Sequence, residues 1–521
     1  FVLYKRERYE EAVAAYDAAL ALSPQNTTAL YEKGISLTRL GQFRDASTAF
    51  EEAVAQNPGL ADAWLYNGIC HARTGNFEEA LASFDKVLGI NPKSTEARVR
   101  RGMALVSLGR YEDAINAFNR ALEDAPKDIW AWYYKGISLS ELSRFEEAVR
   151  SFERVLELNR RCARAFYEKG NALSRLGKQL EAVISYDQAL EIEPDNPKAL
   201  YQKGIALAQR ERYDDAIKTF ERMLTLEPDN AQALYYLGIA YAGRERYDEA
   251  ISAFERSLEH DPANSLTLHY LGISLVQRER YDEAIKAFLD ALDHDKSNAT
   301  TYYYLGIAYV HAEKYEDALA VLGTAVSMNA ALTDAYTYQG MALARLQRYE
   351  EAVAALNRSL AANPSQMDAL VCRGSSLMVL QRYAEAAETF DRILSLNPNL
   401  VDTWMQKGTA LDKLAKKQDA LAAYTKVLEI NPENPQAWIK KGILLTDLGK
   451  IADAVVAFNK ALDINPALGD IWMRKGDALN TLGRSEESAH AYAQSLKLDP
   501  DQETGWIKEG RTLYDLGKYE D

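Results

Sequence analysis

The chain has 521 residues, with 61 lysines and arginines against 76 aspartates and glutamates, a net charge of −15 spread along its length. That balance excludes the concentrated basic stripe that nucleic-acid binding needs, and no apolar run approaches the ~20 residues that span a bilayer. The three cysteines, at 70, 162 and 372, lie too far apart in sequence to suggest a disulfide framework.

Taken from the N-terminus, residues 1–26 read as a partial unit, with Phe1 already inside a first helix. Fourteen complete units of 34 residues follow, from Thr27 to Gln502, in one continuous array without a linker. Residues 503–521 open one more unit, and Glu520 and Asp521 end the chain as a second helix begins. The unit between Pro92 and Pro126 shows the plan. Thr95 to Leu108 places Val99, Gly102, Met103 and Leu105 at helical spacing, Gly109 and Arg110 form a turn, and Tyr111 to Glu123 carries Ala114, Ile115, Phe118, Ala121 and Leu122 on one stripe. Helices this short are marginal alone and must be held by neighbours.

Four columns repeat this plan along the chain. Glycine recurs every 34 residues from Gly34 to Gly510, and alanine does so from Ala12 to Ala454, with Ser488 the exception. Four residues after each alanine stands an aromatic side chain, replaced by leucine at Leu322 and Leu356. Proline holds one phase from Pro24 to Pro500; only Pro197 and Pro435 fall elsewhere, at helix starts where proline is tolerated. The small columns are expected where two backbones approach closely, and the aromatic and leucine columns (Leu122, Leu156, Leu190, Leu224) are expected to fill the space between units. The turn between helices carries glycine at Gly41, Gly75, Gly109 and Gly177 and again at Gly449, Gly483 and Gly517, whereas the middle has charged turns such as Arg244-Glu245-Arg246-Tyr247.

A unit such as Ala233 to Tyr241, continuing through Tyr247 and the signature residues Gly238, Ala250, Phe254 and Pro262, resembles the tetratricopeptide repeat family, and the resemblance covers the whole chain. It implies an all-α fold, a right-handed superhelical solenoid of antiparallel helix pairs with a strict 34-residue period. The first helices would line the concave face. Departures from the pattern are the lysines before glycine (Lys33, Lys135, Lys169, Lys203, Lys407, Lys441, Lys475), the lost prolines at Arg160, Lys296 and Ala330, and the lost aromatics at Gln179, Lys417 and Ser485. They place local geometry, not the fold, in question, with Leu180 and Ile451 expected to supply some bulk near these places.

No catalytic constellation, phosphate loop or cofactor motif is legible, so no catalytic residue and no cofactor are expected. His260 and His294 occupy equivalent places roughly 10 Å apart by helix packing, too far to share a metal ion. The function expected is a non-catalytic protein interaction scaffold that binds a protein or peptide along the concave groove. Two other readings stay open: a substrate-recruiting arm of an enzyme whose catalytic domain lies elsewhere, and a filament built by end-to-end stacking of uncapped arrays. The candidate groove column is Tyr133, Tyr167, Tyr201, Tyr235, His269 and Tyr303, because tyrosine concentrates where binding energy does. The same rings could instead pack between neighbouring first helices. Many relatives grip a peptide's C-terminal carboxylate with lysine, asparagine and arginine, but at the corresponding places Tyr167, Asn171, Gln202, Gln232 and Tyr236 only Asn171 matches. Toward the C-terminus Asp402, Asp412, Asp447, Asp470, Asp477 and Asp515 suggest an acidic groove wall, against Arg39, Arg73, Arg164, Arg175 and Lys198 earlier; Lys440, Arg474 and Lys508 interleave with the aspartates. The missing starting methionine and the absence of polar capping repeats suggest that the natural protein is longer. The compartment is therefore open, with the cytoplasm as the default.

Overall fold

A computed structural model describes residues 8–518 of the chain, and the expected start at Phe1 and close at Glu520 and Asp521 lie outside them. Every regular element among the described residues is an α-helix, thirty in all. First helices run thirteen residues, as in Thr95–Ser107, except Pro197–Ala208 with twelve and Ala335–Arg345 with eleven, and second helices fourteen, as in Tyr111–Asp124. The chain divides into two compact units, Phe1–Pro262 and Ala263–Asp521. Within each, a first helix packs on its own second helix, and that second helix packs on the following first helix. Successive first helices also touch one another, whereas successive second helices do not approach comparably among the described residues. The row of first helices is therefore the tighter wall of each unit.

The glycine column does something other than bring two backbones together. A Cβ built at Gly238 would lie 2.5 Å from Cε1 of Phe254, and at Gly102 it would lie 2.5 Å from Cε1 of Phe118. Each glycine leaves room for the aromatic ring sixteen residues later, on the second helix of the same pair. Phe118 and Phe254 are fully buried, so the ring cannot yield. Gly306 and Gly340 face Leu322 and Leu356 in the same way. The alanine column, including Ala114 and Ala250, is wholly buried. The leucine column is less uniform: Leu122 and Leu190 are buried, Leu156 and Leu224 half-buried.

The turn between helices requires one residue with positive φ. Where it is glycine, as at Gly109 (φ 72°) or Gly177 (φ 76°), the conformation costs little. In the charged turns it falls on Glu211, Glu245, Glu279 and Glu313, at φ 58° to 60°. The backbone N–H of Glu245 donates to Ala242 O (2.9 Å) and that of Arg246 to Tyr241 O (3.0 Å), which closes the helix end. At the other junction the proline column gains a purpose. Trp64, Trp132, Trp404, Trp438, Trp472 and Trp506 each donate the indole N–H to the carbonyl of the proline six residues earlier, at 2.8–3.1 Å.

Most departures from the pattern have a local resolution. Lys33, Lys169, Lys203 and Lys407 each reach a carboxylate sixteen residues earlier, Asp17, Glu153, Asp187 and Asp391, at 2.5–2.9 Å. Lys135, Lys407, Lys441 and Lys475 lie over the tryptophan three residues earlier, 4.6–5.2 Å from the ring centre. The loss of proline at Ala330 coincides with a shortened first helix, Ala335–Arg345, whose Asp334 makes no capping hydrogen bond. At Arg160 and Lys296 the following helices keep thirteen residues. Gln179 replaces its missing ring by hydrogen bonds with Ser174 (3.1 and 3.2 Å), and Lys417 pairs with Asp447. Leu180 is 49% exposed and supplies only part of the expected bulk, whereas Ile451 packs against the core.

Candidate functional site

The tyrosine column lies on the first-helix wall, half-buried rather than free. Tyr133, Tyr201 and Tyr235 each rest on the second-helix ring of their own pair, Phe152, Phe220 and Phe254, with centroids 6.0–6.5 Å apart. Tyr167 does the same on Tyr186 at 6.2 Å. Burial pushes the hydroxyl of Tyr201 up to about 12 and raises Tyr133 and Tyr303 further. His269 leaves the set of surface candidates. It is only 6% exposed, its Nδ1 lies 2.9 Å from Thr301 Oγ1, and desolvation lowers its pKa to about 4.

A second column, one residue on, has no mark in the repeat pattern that singles it out. Tyr66, Tyr134, Tyr236 and Tyr304 stack nearly parallel on the ring of the preceding pair, Phe50, Phe118, Phe220 and Phe288, at interplanar angles of 13–21°. These rings staple one pair to the next. Tyr303 and Tyr304 also meet edge to face at 5.2 Å, so the two columns interlock.

Two residues expected in the groove have structural partners. Asn171 Oδ1 accepts the Tyr186 hydroxyl (2.9 Å), and its Nδ2 donates to Glu168 (3.1 Å). Asp477 accepts from the Tyr492 hydroxyl (2.9 Å) and pairs with Lys508 at 2.7 Å. Tyr424 meets Thr409 at 3.3 Å in the same arrangement. Where the buried column ring is tyrosine, its hydroxyl reaches a polar side chain fifteen residues earlier; where it is phenylalanine, that place usually holds isoleucine or methionine, as at Ile205 and Met103. Asp447 is neutralised by Lys417 at 2.9 Å. Asp402, Asp470 and Asp515 are exposed and Asp412 is half-buried.

In the N-terminal unit the wall opens into a cleft of about 760 Å³ that runs across the first helices from Ile69 to Arg164. Its floor includes Ile69, Val99, Met103 and Tyr134, and Trp130 stands over it, 57% exposed. Trp130 is held in place by Tyr134, 6.3 Å away, and by Tyr133 edge-on at 6.5 Å. Arg73, Arg100 and Arg164 lie on the rim. Arg73 and Arg164 are among the basic residues that the sequence sets against the acidic C-terminal wall, whereas the repeat pattern gives no reason to single out Trp130.

A model of the tetratricopeptide repeat matches residues 31–95, 133–197, 201–265, 339–400, 405–469 and 440–503, more than half of the chain. The chain belongs to the tetratricopeptide repeat family. Further repeat models match residues 72–135 and 2–41, and the model described as anaphase-promoting complex, cyclosome, subunit 3 matches residues 243–325. No curated protein matches. Among solved structures, YrrB, described as a TPR protein with an unusual peptide-binding site, is 25% identical over 36% of this chain and 96% of its own, with a TM-score of 0.34. MamA from Desulfovibrio magneticus RS-1 is 25% identical over 33% of this chain and 96% of its own (TM-score 0.32). The Naa15/Naa10 complex bound to HypK-THB is 13% identical, covering 99% of this chain and 95% of that one (TM-score 0.32).

In this tetratricopeptide repeat chain one side-chain cluster has the residue types of a hydrolase. Ser47 Oγ lies 3.2 Å from Nε2 of His71, and Glu51 lies 3.3 Å from the same nitrogen. Both neighbours meet Nε2, so the imidazole cannot take a proton at one nitrogen while a carboxylate orients the other. Ser47 is buried and bonded to Asn67 at 2.7 Å. The cluster ties the helices Phe43–Gln56 and Ala61–Arg73 together. Among the described residues no group of three or more His, Cys, Asp or Glu side chains could hold a metal ion, and no helix is long and apolar enough to cross a membrane.

Proposed function

We propose that the chain is a protein interaction scaffold that binds a peptide or an extended protein segment on its first-helix wall. The observation that carries this reading is the cleft of about 760 Å³ with a tryptophan 57% exposed above an apolar floor. Pockets of this volume with a few polar groups at the edge are suited to a bound chain segment, and an exposed indole held by two tyrosines is a preorganised anchor. The tyrosine column contributes mainly by holding the wall rigid, since its rings lean on the second-helix core.

The test is site-specific photo-crosslinking in cells. A photoreactive phenylalanine analogue at Trp130 should capture a discrete partner, and the same analogue at Lys218, exposed on the second helix Tyr213–Leu226, should not. Capture at Lys218 alone would move the binding surface to the opposite wall and overturn the assignment.

A further inference from the structure

The cleft around Trp130 carries a charge pattern of its own, and the choice of ligand drawn from it rests on the peptide-binding reading of the wall. Its two carboxylates are occupied. Glu96 lies 3.4 Å from Arg100, and Asp128 accepts the backbone N–H of Ala131 at 2.8 Å as a helix cap. Arg73 and Arg164 are exposed and have no carboxylate partner among the described residues. Elsewhere the chain commonly pairs a surface arginine with a carboxylate three residues on, as in Arg110–Asp113, Arg212–Asp215, Arg246–Glu249 and Arg484–Glu487. Two arginines without a carboxylate partner therefore flank an exposed tryptophan in a chain of net charge −15.

We propose that this cleft takes an extended acidic segment of a partner protein that carries one large apolar side chain. The apolar side chain sits against Trp130 and Met103, and acidic side chains on either side reach Arg73 and Arg164. Arg73 ends its first helix, Ala61–Arg73, and Arg164 is the second residue of the helix Ala163–Arg175. The two cations therefore lie on a diagonal that crosses four first helices, with Arg100 between them. Three steps of roughly 10 Å between neighbouring first helices, with an offset of about 16 Å along the helix axes, give about 34 Å, which an extended segment of about nine residues at ~3.4 Å each spans with the reach of its end side chains. Cations at both ends of the diagonal select side-chain carboxylates spread along a segment, not a single chain terminus. The general negative charge of the scaffold acts against such a ligand only weakly, because charges beyond a Debye length of ~8 Å are screened at physiological salt.

The proposal is tested by fluorescence anisotropy with the full chain and three labelled nonapeptides. All are acetylated and amidated and have a central phenylalanine; the flanks are glutamate, lysine or alternating glycine and serine. The glutamate peptide should bind at least tenfold more tightly than the others and weaken with salt. Arg73→Glu with Arg164→Glu should reduce its affinity at least tenfold, and Trp130→Ala at least fivefold, with circular dichroism and melting unchanged. Tighter binding of the lysine or glycine–serine peptide would overturn the acidic assignment and leave the scaffold reading standing. Undiminished glutamate-peptide binding in the arginine variant would also overturn it, by placing the site elsewhere. If none of the three peptides binds, the acidic-segment assignment falls, and the scaffold reading is decided by the crosslinking at Trp130.

Discussion

Gly238→Ala isolates the contact that sets the repeat. The added Cβ would lie 2.5, 2.7 and 2.8 Å from Cε1, Cδ1 and Cζ of Phe254, a ring with no exposed surface and no space to move into. Overpacking of this kind costs about 1–3 kcal/mol. Alanine recovers about 1 kcal/mol of helix propensity, so a net loss of about 0–2 kcal/mol is expected. A long repeat array does not unfold in one step, so the assay is amide hydrogen exchange read helix by helix. Exchange in Ala231–Gly243 and Tyr247–His260 should accelerate by up to about 30-fold. Gly89→Ala and Gly323→Ala are the controls. Both sit inside second helices with nothing within 4 Å of an added Cβ, so exchange there should slow by about fivefold. The decisive step is Gly238→Ala in a Phe254→Ala background. With the ring removed, at about 3–5 kcal/mol in its own right, the added methyl should become neutral or stabilising by up to about 1 kcal/mol. If Gly238→Ala destabilises equally with and without the ring, the ring is not what the glycine makes room for, and the reasoning fails.

Three further outcomes are expected. Glu211→Gly with Glu245→Gly relieves two left-handed residues at φ 59° and 60°; the αL cost of about 1–2 kcal/mol less the entropy of glycine, about 0.5–1, should slow exchange of the flanking helices severalfold, and no change would mean the glutamates carry no strain. Tyr186→Phe and Asn171→Ile should each cost about 1–3 kcal/mol by orphaning the other's polar group, while the double variant, which recreates the Phe220 and Ile205 pairing, should cost less than the sum of the two and keep only the loss of the Asn171–Glu168 bond; additive losses would refute the coupling. His269 has a pKa of about 4 against an ordinary 6.5. The unfolded chain therefore binds the extra proton between those values, and stability is full above pH 6.5 and lost as pH falls toward 4, by about 3 kcal/mol in total. Exchange of the helix Ser265–Gln277 at pH 7.5 and 4.5, compared with His269→Tyr, should show a smaller pH effect in the variant.

The fold is legible in the sequence because a 34-residue period repeats whatever every pair needs: a glycine, an alanine, a ring and a proline. Helix bounds such as Tyr111–Asp124 follow from it to within one residue. The reason for the glycine is not legible, since spacing alone cannot say whether Gly102 makes room for a backbone or for the Phe118 ring sixteen residues away. Nor are the roles of Asn171 and Asp477, which read as groove residues until the hydroxyls of Tyr186 and Tyr492 are placed beside them. That pairing is present in the sequence as a correlation between two columns, tyrosine with a polar partner and phenylalanine most often with isoleucine.

The cleft is hidden for the opposite reason. Trp130 is a single departure within its column, where the equivalent places in neighbouring pairs hold Glu96 and Arg164, and the basic residues are intermittent: the column of Arg73 holds Arg39, Ser107, Glu141 and Arg175, and that of Arg164 continues with Lys198. A repeat read by its period retains what is common and discards what is singular. Stability in such an array is a sum of nearly identical neighbour contacts, so it is carried by the columns. A particular partner can be recognised only by side chains that differ from one pair to the next, because identical pairs would offer the same site fourteen times over. The residues that hold this fold and those that give it a specific ligand are therefore expected to be almost disjoint sets. Trp130 shows the division: its ring stacks near Tyr134, which staples two pairs through Phe118, yet its own exposed face contributes little to that packing and is free to serve a partner.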